Sequence, residues 1–466
     1  MRVKTSGTNT QYQPHAYQTS GIKYLKENKF ALLADEMGLG KTFQTIKAID
    51  ELELSNILVV CPSFLKINWK REFEKFSDFD RDITIVENKK TVIPMSGILI
   101  VSYTSAHLVL STSRCFDVVI LDESHFLKNP GSKRTQAVYG KAGLIRKTKR
   151  CWGLSGTPCP NGNPSELWTM IYTYGHTNLG YDDFIKRYCC YYMFNRRIVP
   201  QGFRPEKKDE LHDTLNQFML RRVKEGNIKL PPVVSEIIYV KPEFPDIDIH
   251  KDFSEWTTPI DKKKALLTEI KKQEAVIKDI LWETGSDNIF GAVQAMSESM
   301  ATLRKYIGLS KVHAAEQYIK KFLAEHPKEK LVVFCYHTSV IDELMERLEK
   351  YNPLELRGSQ TPKKKQRTVD QFHGLIPGDT QFDYRVLIGQ IRACGVGMNL
   401  TCAAQGLFVE LDWTPAWNTQ AQARLHRIGQ KKTVFIDFLA AADTHDELLN
   451  DKLAEKIRSM NEIMRI

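Results

Sequence analysis

The sequence offers no pair of cysteines in a C-x-x-C arrangement. Its nine cysteines are odd in number and irregular in spacing, which argues against both a disulfide framework and a structural zinc site. Several lie in apolar strand-like runs, where a free thiol behaves as a small hydrophobe. A reducing, intracellular setting is therefore expected. None of the twelve histidines has metal-ligand spacing. Long apolar stretches are missing too. Runs such as Ile98–Val101 and Val118–Leu121 are strand-sized, far short of the roughly 20 residues a membrane helix needs, so no membrane partner is expected. Met1–Pro14 is polar and has no secretory pattern. Repeats and low-complexity tails are absent as well, which leaves no solenoid or disordered class to consider.

What remains is an ordinary globular composition: 466 residues, 42% hydrophobic and 26% charged. That is too much chain for one core and suits two or three domains. The net charge of +10 fits a polyanion partner and fits equally a protein that is merely basic. Phe30–Ala34, Asn56–Cys61, Gly97–Ser102 and Phe116–Asp122 are short aliphatic runs with helical patterns between them. Continuous apolar strands separated by helices indicate a parallel sheet covered on both faces. The pattern fades over residues 161–230, which read as a helical, irregular insertion, and Pro231-Pro232 marks a boundary. Alternation resumes with Leu331–Cys335, Arg385–Ile388, Gly406–Leu411 and Thr433–Phe438, and Thr444–Ile466 reads as closing helices. The expected fold is α/β in two lobes. Residues 1–232 form the first. Residues 233–466 form the second, with a helical insertion over 250–310 that includes an amphipathic Lys262–Trp282, and a core starting near 311.

Ala31–Thr42 reads ALLADEMGLGKT: an apolar strand, a Gly-rich turn, then Lys-Thr opening a helix. This is the context of a phosphate loop. Gly38 and Gly40 would let backbone amides wrap phosphates, and the helix start adds a positive dipole end. Lys41 would neutralise phosphate charge and Thr42 would hold Mg²⁺. The usual first glycine of such a loop is replaced by Asp35. Phe116–His125 reads FDVVILDESH. Here a buried strand delivers Asp122, suited to Mg²⁺, and Glu123, suited to activating water. Alone, such an acidic pair is often a solvated helix start; together with the phosphate loop it points to a nucleotide.

From Tyr12 to about Leu449 the chain resembles the Swi/Snf-type DNA translocase family of helicase superfamily two. The resemblance rests on Tyr17-Gln18, Asp35–Thr42, Cys61-Pro62-Ser63 with Trp69, Asp122–His125, Leu154–Pro158 (LSGTP) and Arg424–Gln430 (RLHRIGQ). It also explains Asp35, because that family lacks the first glycine. Phe184–Cys189 and Leu220-Arg221-Arg222 are most similar to its annealing-helicase branch. The resemblance implies two RecA-like lobes with helical protrusions and a single ATP site, with Mg²⁺, in the cleft between them. Gln18 and the loop Asp35, Glu36, Met37, Gly38, Leu39, Gly40, Lys41 and Thr42 would hold the nucleotide, with Thr42 and Asp122 on the metal. Arg424 and Arg427 would reach across to the γ-phosphate, where a charge-spread transition state needs cations; surface ion pairs or DNA contacts are their other reading. His125, Ser155, Thr157 and Gln420 would couple hydrolysis to lobe movement.

The same resemblance places a DNA backbone against Pro62, Ser63, Ser102 and Tyr103 in the first lobe. In the second it places DNA against Gly358, Ser359, Gln360, Thr361, Lys365, Gly395, Gly397 and Asn399. Lys365 stands where the family has arginine. Contacts of this kind fix position without reading sequence, so binding to duplex or branched DNA should be sequence-independent and salt-sensitive. Pro362–Arg367 (PKKKQR) reads as a phosphate-facing helix start or a nuclear localisation run. The leading function is an ATP-dependent translocase on duplex DNA that remodels DNA structures or protein–DNA complexes. A strand-separating or annealing helicase on forked DNA and an ATP-gated DNA-binding scaffold are the alternatives. A monomer can contain the whole site. The location would be cytoplasmic in a prokaryotic or viral setting and nuclear in a eukaryotic one.

Overall fold

The computed structural model describes residues 12–243 apart from 195, residues 304–442 apart from 377–382, 396 and 397, and short stretches outside these. Two all-parallel sheets organise the chain. The first has seven strands in the order Met219–Leu220, Phe30–Leu33, Cys151–Leu154, Val118–Asp122, Asn56–Cys61, Gly97–Ser102, Ile83–Ile85. The second has six: Val233–Val240, Val434–Ala441, Gln405–Phe408, Leu331–Cys335, Val386–Gln390, Leu354–Leu356.

Side chains on a strand alternate between faces, so a strand that is apolar throughout must be covered twice. Ile57, Val59, Ile98 and Ile100 enter one core of the first sheet, whereas Leu58, Val60, Leu99 and Val101 enter the other. The second sheet repeats this: Leu331, Val333 and Cys335 face one core, Val332 and Phe334 the opposite one. Each such buried aliphatic contributes on the order of 2 kcal/mol, and a charge placed at Val59 or Val333 would be buried without a partner. Parallel pairing also puts every strand's carboxyl end on the same edge. The loops that follow Leu33, Cys61, Ser102, Asp122 and Leu154 therefore gather at one rim of the first sheet.

Several elements depart from the sequence reading. The stretch expected to be a helical insertion holds helices Trp168–Thr173, Tyr181–Tyr188 and Lys208–Asn216, and also an antiparallel hairpin of Cys189–Phe194 with Arg197–Phe203. Immediately after the proline pair, Val233–Val240 forms an edge strand of the second sheet. Met460, Ile463 and Met464 follow the second sheet in sequence but pack with Phe184, Leu211 and Phe218 of the first lobe. The amphipathic segment Lys262–Trp282 and nearly all of the insertion expected over 250–310 lie outside the described residues. No helix among the described residues is long and apolar enough to cross a membrane.

Candidate functional site

Strand Phe30–Leu33 delivers the Gly-rich loop to the sheet rim, and helix Lys41–Glu51 starts directly after Gly40. Gly38 and Gly40 have φ of 92° and 76°, left-handed values that disfavour any side chain. Close approach bars one as well: a Cβ on Gly40 would lie 2.6 Å from the Gln18 amide nitrogen. Gln18 Nε2 and the Tyr17 hydroxyl both donate to the Leu39 carbonyl, at 3.3 and 3.2 Å. Lys41 Nζ donates to the Asp35 carbonyl at 2.7 Å. Burial pushes the Lys41 pKa down, opposed by the charges of Glu123, Asp35 and Asp122. Thr42 follows on the first helical turn.

The loop's own carboxylates, Asp35 and Glu36, are both engaged by the protein itself. Asp35 is fully buried; it accepts from Arg222 Nε at 2.8 Å and from Gln44 Nε2 at 3.0 Å. Glu36 accepts from the Lys224 backbone at 2.7 Å. These bonds tie the loop to the segment that follows strand Met219–Leu220. Met37 and Leu39 are buried, so the loop offers a ligand backbone, Lys41 and Thr42 rather than these side chains.

Val118–Asp122 brings in the acidic pair. Asp122 Oδ2 accepts from Trp69 Nε1 at 2.7 Å, and Oδ1 from the Glu123 amide at 3.0 Å. Burial and the neighbouring Glu123 raise the Asp122 pKa to about 7. Glu123 has φ of 53°, a strained value for a residue with a side chain. Burial raises its pKa too, opposed by Lys41 and Arg424. Glu123 Oε2 is buried with no hydrogen-bond partner among the described residues. Two adjacent carboxylates held out of water, one with an unsatisfied oxygen, suit a divalent cation and a polarised water. The residues present fit Mg²⁺ beside a nucleotide phosphate.

A chain of contacts leads from Glu123 to the other lobe. His125 Nδ1 stands 3.3 Å from Glu123 Oε2 and hydrogen-bonds Ser155 Oγ at 3.0 Å. Burial lowers the His125 pKa to about 3, so the imidazole is neutral and its contact with Glu123 is not an ion pair. Ser155 Oγ accepts from the Thr157 amide at 3.2 Å. Thr157 Oγ1 accepts from Gln420 Nε2 at 2.9 Å. Trp417 sets its ring edge-on against His125 and Phe126, with centroids 6.0 and 6.1 Å away.

Both candidate arginines reach this region. Arg424 Nε and Nη2 donate to the Gly395 carbonyl at 3.0 and 2.7 Å. Burial and Arg427 lower its pKa to about 10, opposed by Glu123 and Asp122. Arg427 Cβ lies 3.2 Å from where a Cβ on Gly38 would be, and its guanidinium feels the charge of the half-buried Glu72. Lys224 Nζ donates to the His426 carbonyl at 2.8 Å, between the two arginines.

The expected DNA-facing residues divide. Ser63, Ser359, Thr361 and Asn399 are exposed. Ser102 is buried, its Oγ bonding the Thr104 and Ser105 hydroxyls at 2.9 and 3.1 Å. Pro62 precedes the short turn Ser63–Leu65. Gln360 is occupied, its amide donating to Glu355 Oε1 at 3.2 Å. Tyr103 is buried, stacks on Phe126 and donates its hydroxyl to the Asp122 carbonyl at 2.8 Å. Lys365 is 6% exposed, donates to the Gly358 carbonyl at 3.0 Å and lies 5.7 Å from the Phe64 ring of the first lobe. Gly395 contributes its carbonyl to Arg424, and Gly397 lies outside the described residues. A cavity of about 440 Å³ opens between Phe64 and the second-lobe residues Tyr336, Gln390 and Arg392.

Arg222, Lys224, Gln44 and Glu72 belong to this site and had no assigned role. Only the Leu220-Arg221-Arg222 motif hinted at the first of them; the others carry no local signal.

Comparison with known proteins places these observations. The SNF2-related domain matches residues 17–300, and the Helicase conserved C-terminal domain matches residues 311–429. The human protein described as "DNA annealing helicase and endonuclease ZRANB3" is 30% identical over 465 residues, spanning 94% of this chain and 39% of its own length. A Caenorhabditis elegans homologue of the SWI/SNF-related matrix-associated actin-dependent regulator of chromatin subfamily A-like protein 1 is 27% identical over 465 residues, covering 96% of this chain and 61% of that protein. The chain thus spans less than two thirds of either relative. The Sulfolobus solfataricus SWI2/SNF2 ATPase core in complex with dsDNA superposes with a TM-score of 0.42 at 21% identity, covering 99% of this chain and 94% of that one. With the SNF2-related domain matched over more than half of the chain and followed by the helicase C-terminal domain, the chain belongs to the SNF2-related family.

Proposed function

We propose that this protein is an ATP-driven motor that translocates along duplex DNA and thereby remodels DNA structures or protein–DNA complexes. One observation carries the reading: His125 lies 3.3 Å from Glu123, and hydrogen bonds lead on from it through Ser155 and Thr157 to Gln420 in the opposite lobe. Such a path gives the state of the hydrolytic site a means of biasing lobe closure, which is what a stepping motor requires.

In this reading Lys41 and the loop amides bind the nucleotide phosphates and Gln18 lies on the base side. Thr42 and Asp122 would hold Mg²⁺, which supplies charge neutralisation at the phosphates when bound. Glu123 orients water and accepts its proton. Arg424 and Arg427 complete the site only when the lobes meet, so hydrolysis depends on closure. Residues 1–232 and 233–466 supply the two lobes, with Met460, Ile463 and Met464 packing back on the first, and the exposed Ser63, Ser359, Thr361 and Asn399 mark the DNA track.

The test is steady-state ATP hydrolysis without nucleic acid and with single-stranded, duplex and forked DNA and RNA, at two salt concentrations. Strong stimulation by plain duplex that falls steeply with salt is expected. No stimulation by any DNA would sink the motor reading, and a near-zero rate throughout would favour a DNA-binding scaffold.

A further inference from the structure

The hairpin Cys189–Phe203 serves none of the roles assigned so far. Its root is firm. Phe203 packs with Phe184, Tyr188 and Leu211, Arg204 Nε donates to the Cys189 carbonyl at 3.0 Å, and Cys189 itself is buried. Beyond the root the strand Cys189–Phe194 leaves its aromatic rings partly uncovered on both faces. Tyr191 and Tyr192 are neighbours on one strand and so point to opposite faces. They are nevertheless 37% and 39% exposed, and Met193 is 60% exposed. An isolated two-stranded hairpin is marginal in water, so bare aromatics on both faces are costly unless something covers them.

Charge says what covers them. Between Cys189 and Arg204 the sequence has three arginines and no carboxylate. Arg196 and Arg197 are exposed at the turn, and Arg204 lies 5.8 Å from the Tyr191 ring. Aromatic rings interleaved with arginines, without acidic neighbours, suit unpaired nucleic-acid bases. Bases stack on the rings, and their phosphates meet the guanidinium groups.

The root is also wired to the site. Cys189 Sγ donates to Asn163 Oδ1 at 3.2 Å, and Cys159 Sγ donates to the Asn163 carbonyl at 2.9 Å. Cys159 follows directly on the Ser155–Pro158 loop that bonds Gln420.

We propose that the hairpin Cys189–Phe203 is a stacking platform for the unpaired bases of a DNA branch, with Tyr191, Tyr192, Arg196 and Arg197 as its contacts. This deepens the motor reading and rests on it for the choice of DNA as partner.

The test separates the two. Equilibrium binding without ATP is measured by fluorescence anisotropy on a plain duplex and on a fork with unpaired arms. The wild type is compared with Tyr191→Ser/Tyr192→Ser and with Arg196→Glu/Arg197→Glu. Because these side chains are exposed, thermal unfolding midpoints should match the wild type. The expected result is a loss of fork affinity of about tenfold in the tyrosine pair, with the duplex much less affected. 2-Aminopurine placed at the branch should lose hairpin-dependent quenching. The arginine pair should also flatten the salt dependence of fork binding. A fork-to-duplex ratio that is the same in all three proteins overturns the proposal. So does a concentration-dependent dimer in the wild type that the variants lose, because a second copy would then be the cover. ATPase stimulation reports on the motor alone: stimulation with an unchanged ratio removes the hairpin and keeps the motor, and a flat ATPase with a changed ratio does the reverse.

Discussion

Gln420 and Thr157 meet across the cleft, amide to hydroxyl at 2.9 Å, both side chains buried. They lie 263 residues apart in sequence, and each belongs to a different lobe. The bond is the last link of the path from Glu123. Gln420 Oε1 has no partner among the described residues, so the amide is held by this link rather than by a network of its own.

If the link transmits, Gln420→Ala and Thr157→Val should not act independently. Each should lower DNA-stimulated kcat, and the double variant should lose less than the sum of the two. A coupling of about 1 kcal/mol is expected for one buried hydrogen bond. Measuring kcat for the four proteins closes the cycle, and additive losses would show that the bond transmits nothing.

Glu123→Gln keeps the side chain's shape and removes its basicity. Hydrolysis should fall by about 10²–10⁴-fold, while ATP and DNA binding persist. Fluorescent nucleotide binding set beside single-turnover hydrolysis checks both halves. Loss of nucleotide binding would contradict the assigned role.

Arg427→Ala should likewise bind ATP and hydrolyse it slowly, by roughly 10³-fold or more if it meets the transition state. Arg427 covers Gly38 and neighbours Glu72, whereas Arg424 feels Glu123 and Asp122. The pair can therefore be ranked: kcat with ATP Kd held constant for both alanine variants. A normal kcat for Arg427→Ala would leave Arg424 as the transition-state cation.

How far the sequence shows all this depends on the kind of feature. Strands buried on both faces, such as Asn56–Cys61 and Leu331–Cys335, announce themselves by being apolar throughout, and they carry the loops of the site with them. Cys151–Leu154 is just as buried but only four residues long and interrupted by Gly153, too short to stand out. The hairpin at Cys189–Phe203 carries its aromatics on both exposed faces, so it lacks the apolar/polar alternation of a half-buried strand. In the site, motifs fix where a residue stands along the chain and not where its side chain points. Tyr103 and Lys365 occupy the expected positions yet turn inward. The Arg222–Asp35 pairing spans 187 residues, and no local pattern encodes a contact of that separation.

That pairing is open to test. Arg222 also donates to Gln44 Oε1 at 2.8 Å, so removing its guanidinium strands the fully buried Asp35 carboxylate. Arg222→Met should destabilise the protein by roughly 3 kcal/mol or more, read as a lowered denaturation midpoint. Adding Asp35→Asn should recover part of the loss, because the stranded charge is then gone. No recovery would mean that Arg222 acts through packing rather than by neutralising Asp35.

His125 gives the protein an acid-side weakness with a calculable sign. Its pKa falls from the usual 6.5 to about 3 on burial. Between those values the unfolded chain binds a proton that the folded chain does not, so stability must rise with pH across that window. The contribution is complete above about pH 6.5 and declines as pH falls towards 3. His125→Gln preserves a polar side chain near Ser155 and cannot titrate. Denaturant unfolding at pH 7.5 and 5 should show a larger drop for the wild type than for this variant. Equal drops would mean that other groups carry the acid sensitivity and that the buried imidazole is protonated without penalty.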